Sequence, residues 1–284
     1  MSFKLGTIDG RAILADDAHW YDLESVSGSS LGADPMAALA APDRLSALTA
    51  ALGDHEPGGA LEGATLGPPV PSPQKTFGIG LNYQDHAAES SMELPENPLV
   101  FTKFPSCLVG PTADVELRSG ACDYEGELVV VIGSGGKDIA PEDAWDRIVG
   151  VTVGQDISDR GAQFAAKPPH FDLGKSFDTF GPTGPFVIPS SSVDPENLRI
   201  RTTVNGEVRQ DGSTADLIFD VPTLVSYLSR ITTLVTGDLI FTGTPEGVGA
   251  AKGLFLADGD VIETTIDDVG TMTNRCVRVS SYRQ

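Results

Sequence analysis

The chain is poor in most of the residue types that advertise a chemistry. Its 284 residues hold three cysteines, Cys107, Cys122 and Cys276, with no CxxC pair. An odd, scattered set argues against a disulfide framework and against a zinc knuckle. Lysine and arginine together number 19 against 40 acids, a formal charge of −21. So acidic a surface disfavours nucleic acid and anionic membrane as partners and suits cations. An anionic substrate would then need a local positive cluster. No apolar run reaches transmembrane length, and Met1–Gly6 opens no signal-peptide core, so a cytoplasmic location is expected. A GxSxG elbow, an HExxH pair, a phosphate loop and a GxGxxG after a first strand are all missing. Serine-hydrolase and dinucleotide-binding readings are weak for that reason.

What is present is strand-rich. Residues 1–70 read as a small N-terminal unit. Asp9-Gly10 turns between alternating runs, and Met36 to Leu52 carries leucines at helical spacing before Gly53. Pro68 to Pro73 reads as a linker, and residues 71–284 form the second unit. There, short apolar strands are expected at Phe77–Leu81, Leu99–Phe104, Ile148–Gly154, Asp238–Thr242 and Val261–Ile266. Asn205-Gly206 is a hairpin turn. Asp220 is an N-cap, with Leu224, Tyr227, Leu228 and Ile231 on one helix face. Strands and helices do not alternate, so the class is α+β rather than a doubly wound parallel sheet.

The stretch Asp123 to Gly133 opens with acids and ends as the β-branched run Val129 to Ile132. Side chains at i and i+2 of a strand point the same way, roughly 6.5–7 Å apart. Glu125 and Glu127 thus project together from a buried strand's mouth. Either a divalent cation sits between them, or they form the wet face of the strand. Asp156, just past another buried strand, is a source for a third carboxylate, or else an N-cap. Three carboxylates suit a hard cation such as Mg²⁺ or Mn²⁺ and not zinc. His86 and Glu89, three apart, would share a helix face, and a carboxylate on one imidazole nitrogen makes the other a better base. A chance surface pair is the plain alternative. Arg160 and Gln163 are donors that would face an anion, and Lys175 is a lone lysine among Gly, Phe and Pro. Thr244 and the amides of the Gly-rich loop Phe241–Gly249 would hold a carboxylate, or simply make a tight turn.

Five segments resemble the fumarylacetoacetate hydrolase family, in that family's order. They are Gly80-Leu81-Asn82-Tyr83 with His86 and Glu89; Asp123 to Leu128; Asp156 with Arg160 and Gln163; Gly174 to Thr179; and Thr242 to Gly249. The resemblance covers about residues 75–280. It implies a mixed β-roll catalytic domain behind a small N-terminal α/β domain, and a homodimer. It implies Glu125, Glu127 and Asp156 as ligands of Mg²⁺, with Mn²⁺ or Ca²⁺ as substitutes. It implies His86, Glu89 and Lys175 as catalytic groups, and Arg160, Gln163, Thr244 and Tyr83 as contacts to a small keto-acid substrate. The expected activity is hydrolysis of a C–C bond in an acylpyruvate-like 1,3-dicarbonyl acid. The alternatives are oxaloacetate decarboxylation and isomerase- or hydratase-type reactions of a related 2-keto or 2-hydroxydienoic acid. Gly161 and Lys167 to His170 depart from the family pattern beside the substrate's place. Asp123 shares strand parity with Glu125, but the resemblance gives it no ligand role.

Overall fold

The fold is taken from a computed structural model that describes residues 2–85 and 94–279. Its centre is the strand Gly126–Ile132, buried at every position. The strand pairs antiparallel with Ile148–Gln155 on one side and Leu239–Phe241 on the other. Alternate side chains feed two cores. Leu128, Val130 and Ile132 join one apolar cluster, and Val129 and Val131 join the other. The continuous β-branched run follows from this, because a strand covered on both faces has no wet side.

The sheet containing it has twelve strands. Beyond Leu239–Phe241 come Thr76–Gly80 and Leu99–Thr102; beyond Ile148–Gln155 comes Gly181–Ile188. A second sheet of five strands includes the hairpin Arg199–Val204 and Glu207–Ser213, turned by Asn205 and Gly206 with φ of 54° and 79°. These positive φ values at both turn positions are what a type I′ turn needs. Gly126 faces this second sheet so closely that a Cβ there would stand 2.3 Å from Thr202 Oγ1. The strand-rich α+β fold is as expected.

The helix Val221–Ile231 starts where its signals place it, with the Asp220 carboxylate accepting from Thr223 N–H. Leu224 and Leu228 are buried, but Ile231 is 65% exposed, so the apolar face ends one turn early. The leucine-spaced stretch from Met36 to Leu52 is not one helix. It breaks into Pro35–Ala38, Pro42–Ala50 and a 3₁₀ turn at Leu52–Asp54. Pro42 explains the break, since it lacks the N–H that a continuous helix needs and restricts the residue before it.

The N-terminal strands are not a detached layer. Leu5–Ile8 continues the large sheet by pairing Leu5 with Val187 of Gly181–Ile188. Phe3, Leu5 and Leu14 share an apolar cluster with Val129, Val187 and Phe241. No helix among the described residues is long and apolar enough to cross a membrane. The two tryptophans, Trp20 and Trp145, sit one in each part of the chain. We expect single-tryptophan variants (Trp145→Phe or Trp20→Phe) to report the same denaturant midpoint, because the shared core couples the parts. Two separated midpoints would show that residues 1–70 unfold on their own.

Candidate active site

The carboxylates meet at one end of the central strand. Glu127 lies in the strand opposite Gly154, and Glu125 immediately precedes it. The Glu125 N–H donates to Gln155 Oε1 at 3.0 Å, and its carbonyl accepts from Asp156 N–H at 2.9 Å. That exchange sets Asp156 beside the glutamates. The ligand oxygens of Glu125, Glu127 and Asp156 lie within 4.8 Å of one another, and all three residues are buried. A fourth acid, Asp123, is fully buried.

Among the described residues, three basic side chains thread among these acids. Lys175 Nζ donates to Glu125 Oε2 at 2.6 Å, Asp156 Oδ2 at 2.7 Å and Ser158 Oγ at 2.7 Å. An ammonium group has three donors, and all three are engaged. Arg160 bridges Asp123 and Glu125 through Nη2 at 2.7 and 2.6 Å, and Nη1 donates to Gln163 Oε1. Asp123 also accepts from the N–H groups of Gly249 and Ala250. It therefore orients Arg160 and pins the Gly-rich loop, a structural role.

The third base, Lys103, was not singled out in the sequence. It is 1% exposed and donates to Asp156 Oδ1 at 2.7 Å and to the Lys175 carbonyl. Burial alone pushes Lys103 toward the neutral amine, but the Asp156 charge, with help from Cys107 and the Asp156 hydrogen bond, outweighs it and the pKa rises. Its signal was a lysine inside the apolar run Leu99–Phe104, and only the fold reveals that it points inward.

Glu127 has no basic partner at hydrogen-bond distance among the described residues; Gly243 N–H donates to its Oε2 at 2.8 Å. Gly243 adopts φ of 101°, which favours glycine. Burial, then the charges of Asp156 and Glu125, hold the Glu127 pKa well above the carboxylate range, against the opposing pull of Lys175. A divalent cation would relieve that repulsion. The donor set is all oxygen, so the residues fit a hard ion, with Glu125, Glu127 and Asp156 as its holders.

A cavity of about 540 Å³ opens onto this cluster. Glu125, Glu127, Arg160, Gln163, Lys175 and Thr244 line its inner end. The Thr244 hydroxyl donates to the Gly126 carbonyl at 2.9 Å and accepts from Gln210 Nε2 at 2.7 Å. Gln155 and Gln210, both buried, tie the acid end of the strand to the second sheet and were also missed. Tyr83 is placed differently from expectation. It is 1% exposed, packs in the apolar core and does not line the cavity. The reason lies one residue earlier. Asn82 is anchored by Phe219 and Thr242 and turns the chain inward, with Leu81 at φ of 53° on the cavity wall. His86 and Glu89 fall outside the described residues.

Fold and site together define a strand-rich enzyme with a buried carboxylate triad suited to a divalent ion. The profile of the fumarylacetoacetate (FAA) hydrolase C-terminal domain matches residues 75–277. The chain belongs to the fumarylacetoacetate hydrolase family. It is 46% identical over 226 residues to oxaloacetate tautomerase YisK of Bacillus subtilis, covering 76% of this chain and 74% of that one. It is 42% identical over 214 residues to the human mitochondrial oxaloacetate tautomerase FAHD2A, covering 74% and 68%. Maleylpyruvate hydrolase from Sphingobium sp. SYK-6, solved with manganese(II) and pyruvate, superposes with a TM-score of 0.82 at 30% identity, covering 98% and 100%.

Two outcomes test the electrostatics. In the metal-free protein the Glu127 pKa is raised above the ordinary value of 4.5, so above that value the folded chain binds this proton more strongly than the unfolded chain does. That stability is present at low pH and is lost as pH rises from the ordinary value through the raised one. Unfolding of chelator-treated protein from about pH 5 to about pH 8 should show stability falling relative to Glu127→Gln. A flat or rising difference would refute the assignment. Separately, Lys103→Met strips a buried cation from Asp156 and should cost about 3–5 kcal/mol in denaturant unfolding. A loss under about 1 kcal/mol, as for an exposed pair, would refute it.

Proposed function

We propose that the protein is a divalent-metal-dependent tautomerase that interconverts the enol and keto forms of oxaloacetate. The observation that carries this is the buried triad Glu125, Glu127 and Asp156 with Lys175 between two of its members. That arrangement serves a reaction in which negative charge develops on a 2-oxo oxygen. The tautomerase names of relatives at 41–46% identity support the choice among the family's reactions.

Glu125, Glu127 and Asp156 would hold a divalent ion, Mg²⁺ by preference and Mn²⁺ or Ca²⁺ as substitutes, which would supply Lewis-acid polarisation of the 2-oxo group. The protein's own groups do the rest. Lys175, its three donors held by Glu125, Asp156 and Ser158, places a positive charge beside the oxygen that turns negative. Arg160 and Gln163, coupled to each other, form the polar wall for the substrate carboxylate, with Thr244 on the same inner surface. His86, oriented by Glu89, takes and returns the C3 proton. The apolar lining keeps bulk water from the exchanging proton. A homodimer and a cytoplasmic location go with this reading; the three free, buried thiols suit a reducing compartment.

Hydrolysis of an acylpyruvate-like C–C bond is the second reading, favoured by the resemblance to maleylpyruvate hydrolase. It would use the same inner end, with His86 activating water. One assay separates tautomerisation from decarboxylation. Enol oxaloacetate is diluted into protein with Mg²⁺, and enol absorbance and pyruvate are followed together. Enol should vanish faster than in buffer with no matching pyruvate, and Glu127→Ala should slow it by at least about a hundredfold. Pyruvate formed in step with oxaloacetate loss would mean decarboxylation, and no acceleration with Mg²⁺ or Mn²⁺ would refute the tautomerase.

A further inference from the structure

The cavity is two-faced. Its described basic groups, Arg160 and Lys175, lie at the inner end and are both paired with acids. Its apolar lining is Leu81, Leu99, Phe101, Phe164, Phe171 and Val248, with Phe164 and Leu99 its exposed members. Three of these form an aromatic series, with ring centroids 5.9 Å apart for Phe101 and Phe171 and 6.3 Å apart for Phe171 and Phe164. Phe101 joins the two faces, since Lys175 Nζ stands 5.1 Å from its ring centroid. The volume of about 540 Å³ lies in the range of about 300–1,000 Å³ that holds drug-sized ligands, well beyond a four-carbon acid.

Charge points the same way. At formal charge the acids Asp123, Glu125, Glu127 and Asp156 exceed the bases Lys103, Arg160 and Lys175 by one. A divalent ion would turn the deficit among these described groups into a single positive charge, which one carboxylate balances. The second carboxylate of a dicarboxylate would lie against apolar side chains with no described basic group on that lining, at a desolvation cost.

Resting on the tautomerase reading, we infer that the site also takes 2-oxo acids bearing an aryl group on C3, and interconverts their enol and keto forms. The aryl ring takes the place of the second carboxylate and stacks among Phe101, Phe171 and Phe164. The reaction is balanced as it stands. The enol oxygen loses its proton, C3 gains one, and the double bond moves from carbon–carbon to carbon–oxygen, with no co-reactant.

The test uses the full chain loaded with Mg²⁺ and the enol forms of phenylpyruvate and oxaloacetate. Enol decay gives kcat/KM for each, and calorimetric titration gives phenylpyruvate binding apart from turnover. Phenylpyruvate should be tautomerised with kcat/KM within about tenfold of oxaloacetate. Phe164→Lys places a cation on the apolar lining and should move the ratio of the two kcat/KM values at least about tenfold toward oxaloacetate. Phe164 is 55% exposed, so this variant should keep the fold. Phe171→Ala should weaken phenylpyruvate binding about tenfold in the titration. Oxaloacetate turnover without phenylpyruvate turnover overturns this inference alone, as does a ratio that Phe164→Lys leaves unmoved or a Phe171→Ala titration that matches the parent protein. Failure of both substrates overturns the tautomerase reading beneath it.

Discussion

Buried negative charge is the constraint on which the rest of the structure depends. Glu125, Glu127, Asp156 and Asp123 converge at the mouth of a strand that is otherwise wholly apolar. Desolvating an unpaired carboxylate is costly enough that a group either finds a partner or takes a proton. Both responses are visible. Asp123, Glu125 and Asp156 are paired with Arg160, Lys175 and Lys103, whereas Glu127 has a backbone N–H and a raised pKa. A site built for ion pairing alone would leave each acid with its own base. This one leaves Glu127, without a base among the described residues, next to two others whose oxygens an ion would share.

The fold supplies the rigidity that such a cluster needs. The acids leave one end of two adjacent strands, Gly126–Ile132 and Ile148–Gln155, so the register Glu127 to Gly154 fixes their separation. Gln155 and Gln210 hold the acid end against the second sheet, which Gly126 allows to come close. Lys103 works from just past the end of a third strand, Leu99–Thr102. By holding both Asp156 and the Lys175 carbonyl, it links a triad acid to the backbone that carries the neighbouring lysine. Each link is a modest energy alone, but a fully satisfied buried network resists rearrangement more than the sum of its pairs suggests.

How much of this was legible in the sequence depended on how local the signal was. Asn205-Gly206, Asp220 with Pro222, and the parity of Glu125 and Glu127 each act within a few residues, and each appears where it was read. The single helix from Met36 to Leu52 failed because leucine spacing was weighed above Pro42. Tyr83 failed because a motif names a residue without its direction, and Asn82 set that direction through partners about 140 and 160 residues away. Lys103, Gln155 and Gln210 escaped for the same reason. Their partners lie on distant segments of the chain, which their own neighbours do not reveal.

The site's two ends answer to different physics, which explains how one family carries several reactions. The inner end is fixed by charge balance: alter one acid or base and its partners are left desolvated. The outer end is held by packing alone, and its members range from the buried Val248 to Phe164 at 55% exposed. Half-exposed apolar side chains can change with little cost to stability. The carboxylate cluster that could hold a divalent ion is therefore preserved by the interior. The exposed part of the apolar lining, Leu99 and Phe164, is what the fold can exchange at little cost. An activity read only from the acids, or only from a relative's name, captures the first of these and not the second.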